Sequence, residues 1–123
     1  MSDSILRARA LDFSVQILTL VKDLKQRGEG IIANQSGRSG TSIGANLFEA
    51  QYAQGKADFI SKLQIALKEA SETGYWLELL NRTHAITPEQ FHALDALCAN
   101  IRVMLISSVR TLKGEKSCPT IRP

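Results

Sequence analysis

Cysteine, histidine and aromatic residues are scarce in this chain, and each shortage removes a class of protein. Two cysteines, Cys98 and Cys118, cannot build the disulfide framework of a small secreted domain. Cys98 falls on an apolar helical seam and reads as a small buried hydrophobe, while Cys118 sits beside Pro119 in a polar tail. Aromatics make up 6% of the chain, so no interleaved platform for stacking bases is signalled. There are two histidines, His84 and His92. A di-iron carboxylate bundle needs two Glu-x-x-His pairs and two further glutamates; Glu89 and His92 supply one pair, at a helix start. Neither a metal nor any other cofactor is expected. No Ser or Cys has an evident His and carboxylate around it, so nucleophilic catalysis is not signalled either.

Two further absences concern location. The start, Met1 to Arg9, has no long apolar core of a secretory leader, and no run approaches the about 20 apolar residues of a membrane helix. A cytoplasmic protein without membrane contact is expected. Strand alternation and hairpin turn signals are missing as well.

What remains is helical. At 123 residues, 44% hydrophobic and 22% charged, the chain is one ordinary globular domain. The net charge of +3 and pI near 9.1 permit a nucleic-acid partner without demanding one, though self-assembly would multiply the excess. In the first segment, Leu6, Ala10, Phe13, Ile17, Leu20 and Leu24 step by four and three, which predicts a helix from about Ser4 to Arg27, stopped by Gly28-Glu29-Gly30. The second segment is rich in Gly, Ser and Asn, a composition that alone favours a loop. Yet Ile32, Ser36, Ser39, Ile43, Asn46, Ala50 and Ala53 keep the same stepping, and Gly37, Gly40 and Gly44 share a neighbouring face where another backbone can approach. A helix over Ile31 to Gln54 is predicted. The third follows from Ala57 or Asp58 to Leu80, on Phe59, Leu63, Ala66, Ala70, Thr73, Leu77 and Leu80. Thr87-Pro88-Glu89-Gln90 is a capping-box opening for the fourth, whose seam is Phe91, Leu94, Cys98, Ile101, Leu105, Ser108 and Leu112. Short connections between long helices make an all-α, antiparallel up-down-up-down four-helix bundle over 1–114, followed by a flexible tail, 115–123.

Two blocks carry a resemblance. One is Arg38-Ser39-Gly40-Thr41-Ser42-Ile43-Gly44-Ala45-Asn46-Leu47-Phe48-Glu49-Ala50. The other is Asp58-Phe59-Ile60-Ser61-Lys62-Leu63 with Ala66-Leu67-Lys68-Glu69-Ala70-Ser71-Glu72-Thr73-Gly74-Tyr75-Trp76-Leu77. In order and spacing they resemble the bacterial four-helix-bundle family, also called the 23S rRNA intervening-sequence protein family. The accessory variability protein of diversity-generating retroelements is similar to it. The resemblance implies a small helical homo-oligomer, a pentamer, that does no covalent chemistry. It also implies a partner, either RNA or DNA, or a protein such as a reverse transcriptase.

The residues themselves nominate two sites. Arg38, Ser42, Asn46, Glu49, Glu69 and Glu72 lie where the second and third helices should meet, and read as a hydrogen-bonded network fixing helix register. The phosphate-loop alternative for Gly37 to Ser42 lacks the lysine and the preceding strand. Arg7 and Arg9, with Arg102, Arg110, Lys113 and Lys116, come from helices one and four and their tail, and form a candidate phosphate-contacting surface. The surplus apolar residues Leu11, Val15 and Leu18 on helix one, and Leu97, Val103, Met104 and Ile106 on helix four, predict subunit contacts. The resulting expectation is a non-enzymatic homo-oligomer binding nucleic acid or a nucleic-acid-processing protein. The alternative is an interaction scaffold whose positive charge is incidental.

Overall fold

Four apolar stripes of helical period become four helices, α1 (Asp3–Gln26), α2 (Gly30–Ala50), α3 (Lys56–Arg82) and α4 (Pro88–Leu112). The structure, a computed structural model, describes residues 3–114. The expected tail 115–123, with Lys116 and Cys118, lies outside the described residues. Contacts run α1 to α2, α2 to α3, α3 to α4 and α4 back to α1, so the helices form a closed square with α1 and α4 meeting least closely. This is the expected all-α bundle, and the described residues contain no strand.

The core is the set of stripe residues. Leu6, Ala10, Phe13, Ile17 and Leu24 of α1, Leu63, Ala66, Leu77 and Leu80 of α3 and Leu94, Ile101 and Leu105 of α4 belong to one buried cluster. Each large apolar side chain so removed from water contributes about 1.5–3 kcal/mol, which is what holds the helices together.

The glycine-rich segment is helical because its glycines meet α1. A Cβ on Gly40 would come within 3.0 Å of Ile17 Cγ2, and one on Gly37 within 3.2 Å of Val21 Cγ2. The two helices therefore pack closer than side chains would allow, and the dispersion gained offsets the weak propensity. The helix ends at Ala50 rather than Gln54. The Asp58 carboxylate accepts from the Gln54 backbone N–H at 3.1 Å, drawing 51–55 into the start of α3. Residues 51–53 close instead with shorter-range bonds, such as Tyr52 N–H to the Glu49 carbonyl at 2.9 Å.

The other ends are capped as their chemistry requires. Gly28, at φ +84°, ends α1 with its N–H on the Lys25 carbonyl and the Glu29 N–H on the Leu24 carbonyl. His84, at φ +60°, ends α3 with the same pair of bonds, to Asn81 and Leu80. The predicted capping box on α4 is present: Thr87 Oγ1 accepts from the Gln90 N–H at 3.0 Å and Gln90 Oε1 from the Thr87 N–H at 2.9 Å.

Three sequence expectations need correction. Asn46 is not a seam residue; Leu47 takes that place, buried to 3% exposure. On α4 the seam turns from Ser108 to Val109, and Met104 is core, not surplus surface, because it faces α1. Leu97 packs partly buried against the core, and Ile106 is half-buried. α4 is also, by length and composition, the one described helix long and apolar enough to cross a membrane, although polar residues interrupt its apolar run. Its buried residues supply one wall of the core.

Candidate functional site

The α2–α3 seam carries the polar residues singled out from sequence, arranged in two layers. In the interior, the hydroxyls of Ser39 and Thr73, both fully buried, share a 2.9 Å hydrogen bond. Outside them, Arg38 reaches across from α2 to Glu69 at 3.3 Å and to Glu72. Glu72 also accepts from the Trp76 indole N–H at 2.9 Å, which pins that ring to its own helix. Lys62 and Glu49 make a further bridge at 3.2 Å. The Arg38 side chain is 49% exposed, so these ion pairs stand in water and each is worth about 0.2–1 kcal/mol.

Two members of the expected network are occupied elsewhere. Ser42 donates to the Arg38 carbonyl at 2.7 Å, and Asn46 donates to the Ser42 carbonyl at 2.9 Å. Both satisfy their own helix and leave the carboxylates to Arg38. Sequence reading placed Ser39 and Thr73 on their seams without pairing them; a period assigns a residue to a face but not to a partner.

The basic residues divide by helix face. Arg9 of α1 donates to Asn100 Oδ1 at 2.6 Å and contacts Met104 Sδ at 3.2 Å, so that face of α4 looks toward α1. Arg102 looks the other way. Its Nη1 lies 3.8 Å from Cys98 Sγ and fills the notch left by Gly74 of α3. Arg102 is therefore separated from Arg9 by the width of α4. Arg7, Arg110 and Lys113 do fall at one pole of the bundle, where α1 begins and α4 ends. The start of α3 adds Lys56 and Lys62 to that pole, two cations that a pairing of helices one and four does not include.

At this pole Arg7, Lys56, Arg110 and Lys113 make no ion pair with any described residue. At the opposite pole Arg27 pairs with Asp23 and Arg82 with Glu78, each at 2.8 Å, and Lys22 and Lys25, without an ion pair to a described residue, are balanced by Glu29 and Glu89 at the same end. The excess positive charge is thus displaced toward one end. Among the described residues no three His, Cys, Asp or Glu side chains come together as a metal would require. His84 serves its turn, and His92 is exposed beside the Phe91 ring at 5.5 Å between centroids. Cys98 is enclosed, with its thiol donating to the Ala70 carbonyl at 3.2 Å; burial pushes the thiol up to about 11, against the lowering effect of Arg102.

Comparison with known proteins agrees with this architecture. A crystal structure of a protein of unknown function from the S23 ribosomal protein family of Bacteroides thetaiotaomicron is 49% identical. It superposes with a TM-score of 0.87 over 89% of this chain and 99% of its own. No curated protein matches the chain. The family described as 23S rRNA-intervening sequence protein matches residues 2–107. By its helices, its two seam blocks and that match, the chain belongs to the 23S rRNA-intervening sequence protein family.

Proposed function

We propose that this chain is a non-enzymatic cytoplasmic protein that self-associates and binds nucleic acid, or a protein that processes nucleic acid, through its basic pole. The observation that carries the reading is the displaced charge: at one pole Arg7, Lys56, Arg110 and Lys113 have no ion pair with a described residue, whereas at the other Asp23, Glu29, Glu78 and Glu89 balance Lys22, Lys25, Arg27 and Arg82. Unpaired cations release phosphate counterions on binding at no cost in broken ion pairs, so they are the ones that give affinity. Self-association is supported by Leu11, Val15 and Leu18, which are 67%, 58% and 47% exposed on one strip of a helix whose opposite face is core. Five copies is the number that the family resemblance implies. Phe48 of α2 and Tyr52 just beyond its end add exposed rings, 5.7 Å apart, to the apolar surface.

Light scattering and titration with a duplex DNA and a structured RNA, on one sample at two salt concentrations, test both halves. Nucleic-acid binding that weakens steeply with salt supports the reading. Multimers that bind neither nucleic acid at low salt favour the interaction scaffold. A monomer at micromolar concentration removes self-association. Combined Arg110→Gln and Lys113→Gln should reduce nucleic-acid affinity and flatten its salt dependence.

A further inference from the structure

A groove of about 530 Å³ runs between α1 and α2 at the basic pole, within the usual range for small-ligand sites. Leu11 of α1 and Phe48 of α2 line it, both exposed, with the small residues Ala8, Gly44 and Ala45 between them. The close approach of the two helices at Gly44, whose Cβ would meet Ser14 Oγ at 3.4 Å, keeps this valley narrow.

The polar groups along the groove are committed, except Arg7 and the exposed amide of Gln51 at its end. Ser14 donates to the Ala10 carbonyl at 3.0 Å and Thr41 to the Gly37 carbonyl at 2.7 Å. The Glu49 charge is held by Lys62. Arg7 borders the groove half-buried and makes no ion pair or hydrogen bond with a described residue. The groove is therefore an apolar channel with one available cation.

We propose that this groove binds an amphipathic carboxylate, a medium-chain fatty acid, with the alkyl chain between Leu11 and Phe48 and the carboxylate on Arg7. A guanidinium recognises a carboxylate through two parallel hydrogen bonds, and its partial burial strengthens them. An extended peptide fits less well, because the hydroxyl donors of Ser14 and Thr41 are already used and only the Gln51 amide is left to meet its backbone. A nucleic-acid backbone needs several cations in a row, and this groove offers one.

Isothermal titration with sodium decanoate, against decyltrimethylammonium as a cation of equal chain length, tests the assignment. Leu11 and Phe48 also belong to the apolar surface invoked for self-association, so the mass is recorded by light scattering on the same sample. Saturable binding of decanoate is expected, about tenfold tighter than the cation. Arg7→Gln should remove that preference, and Ala45→Phe, at an exposed position, should fill the channel and abolish binding of both. Absence of saturation at millimolar decanoate overturns the proposal whatever the mass. Equal affinity for both head groups, or decanoate binding indifferent to Arg7→Gln, also overturns it. Each of these results leaves the self-association reading to its own measurement.

Discussion

Ser39 and Thr73 join α2 to α3 through one 2.9 Å hydrogen bond between hydroxyls that are both at 0% exposure. Thr73 Oγ1 lies 2.8 Å from the Glu69 carbonyl as well, so the pair is anchored to the backbone of α3. The other buried hydroxyl on these seams, Ser36, bonds the Ile32 carbonyl of its own helix, so among the described residues Ser39 and Thr73 are the one buried hydroxyl pair that crosses. Such a pair costs little while satisfied and much when halved. That asymmetry is how a buried pair can select a helix register.

Thr73→Val should destabilise the fold by about 1–3 kcal/mol, since it deprives the buried Ser39 hydroxyl of its cross-helix partner. Combining it with Ser39→Ala should cost less than the sum of the two single changes. Urea denaturation of the three variants measures this. Strict additivity would show that the two hydroxyls do not act together.

The glycines of α2 predict opposite signs at two positions. Gly40→Ala places a Cβ 3.0–3.1 Å from two carbons of Ile17, which is fully buried and has no room to yield. A loss of about 1–3 kcal/mol is expected from overpacking. Gly30→Ala, where an added Cβ meets nothing within 4 Å, should gain about 0.4–1 kcal/mol by restricting the unfolded chain. The same denaturation series reads both signs.

His84 holds a left-handed conformation at an exposed turn, where a side chain is strained and glycine is not. His84→Gly should therefore raise the melting temperature, by the equivalent of up to about 1 kcal/mol. A fall in stability would mean that the imidazole has a role beyond closing the helix.

Cys98 should respond to alkaline pH. Its thiol is raised from 9.0 to about 11, first by burial and further by Asp95, with Arg102 opposing. The unfolded chain then loses the proton before the folded one does. The thiol's contribution is complete below about pH 9 and is lost as pH rises toward 11. Cys98→Ala should lower stability at neutral pH through its cavity, and should flatten the decline between pH 9 and 11. In the native protein at pH 8 the thiol should react with a disulfide reagent only at the rate of unfolding.

Much of the architecture was legible along the chain. Stripes such as Leu6-Ala10-Phe13-Ile17 on α1 and Leu63-Ala66-Ala70-Thr73-Leu77 on α3 name their helices and buried faces. Thr87 with Gln90 names a helix start, because a capping box is a local bond pattern that needs no distant partner. The polar residues of the α2–α3 seam were legible as a group for the same reason: period places them on one face.

Pairings across helices required the folded molecule. Period alone could not tell that Leu47 rather than Asn46 completes the α2 seam, since the choice depends on how α2 rolls between α1 and α3. Nor could it place Met104 against Arg9, or turn Arg102 toward Gly74 and away from the other basic residues. The glycines of α2 are the sharpest case. Alone they weaken a helix; against Ile17 and Val21 they bring two backbones together, and the contact energy comes from a neighbour some twenty residues distant. Local chemistry thus specified which segments coil and where they stop. The rotation of each helix about its axis, and with it the identity of every inter-helix partner, was set by side-chain packing among all four.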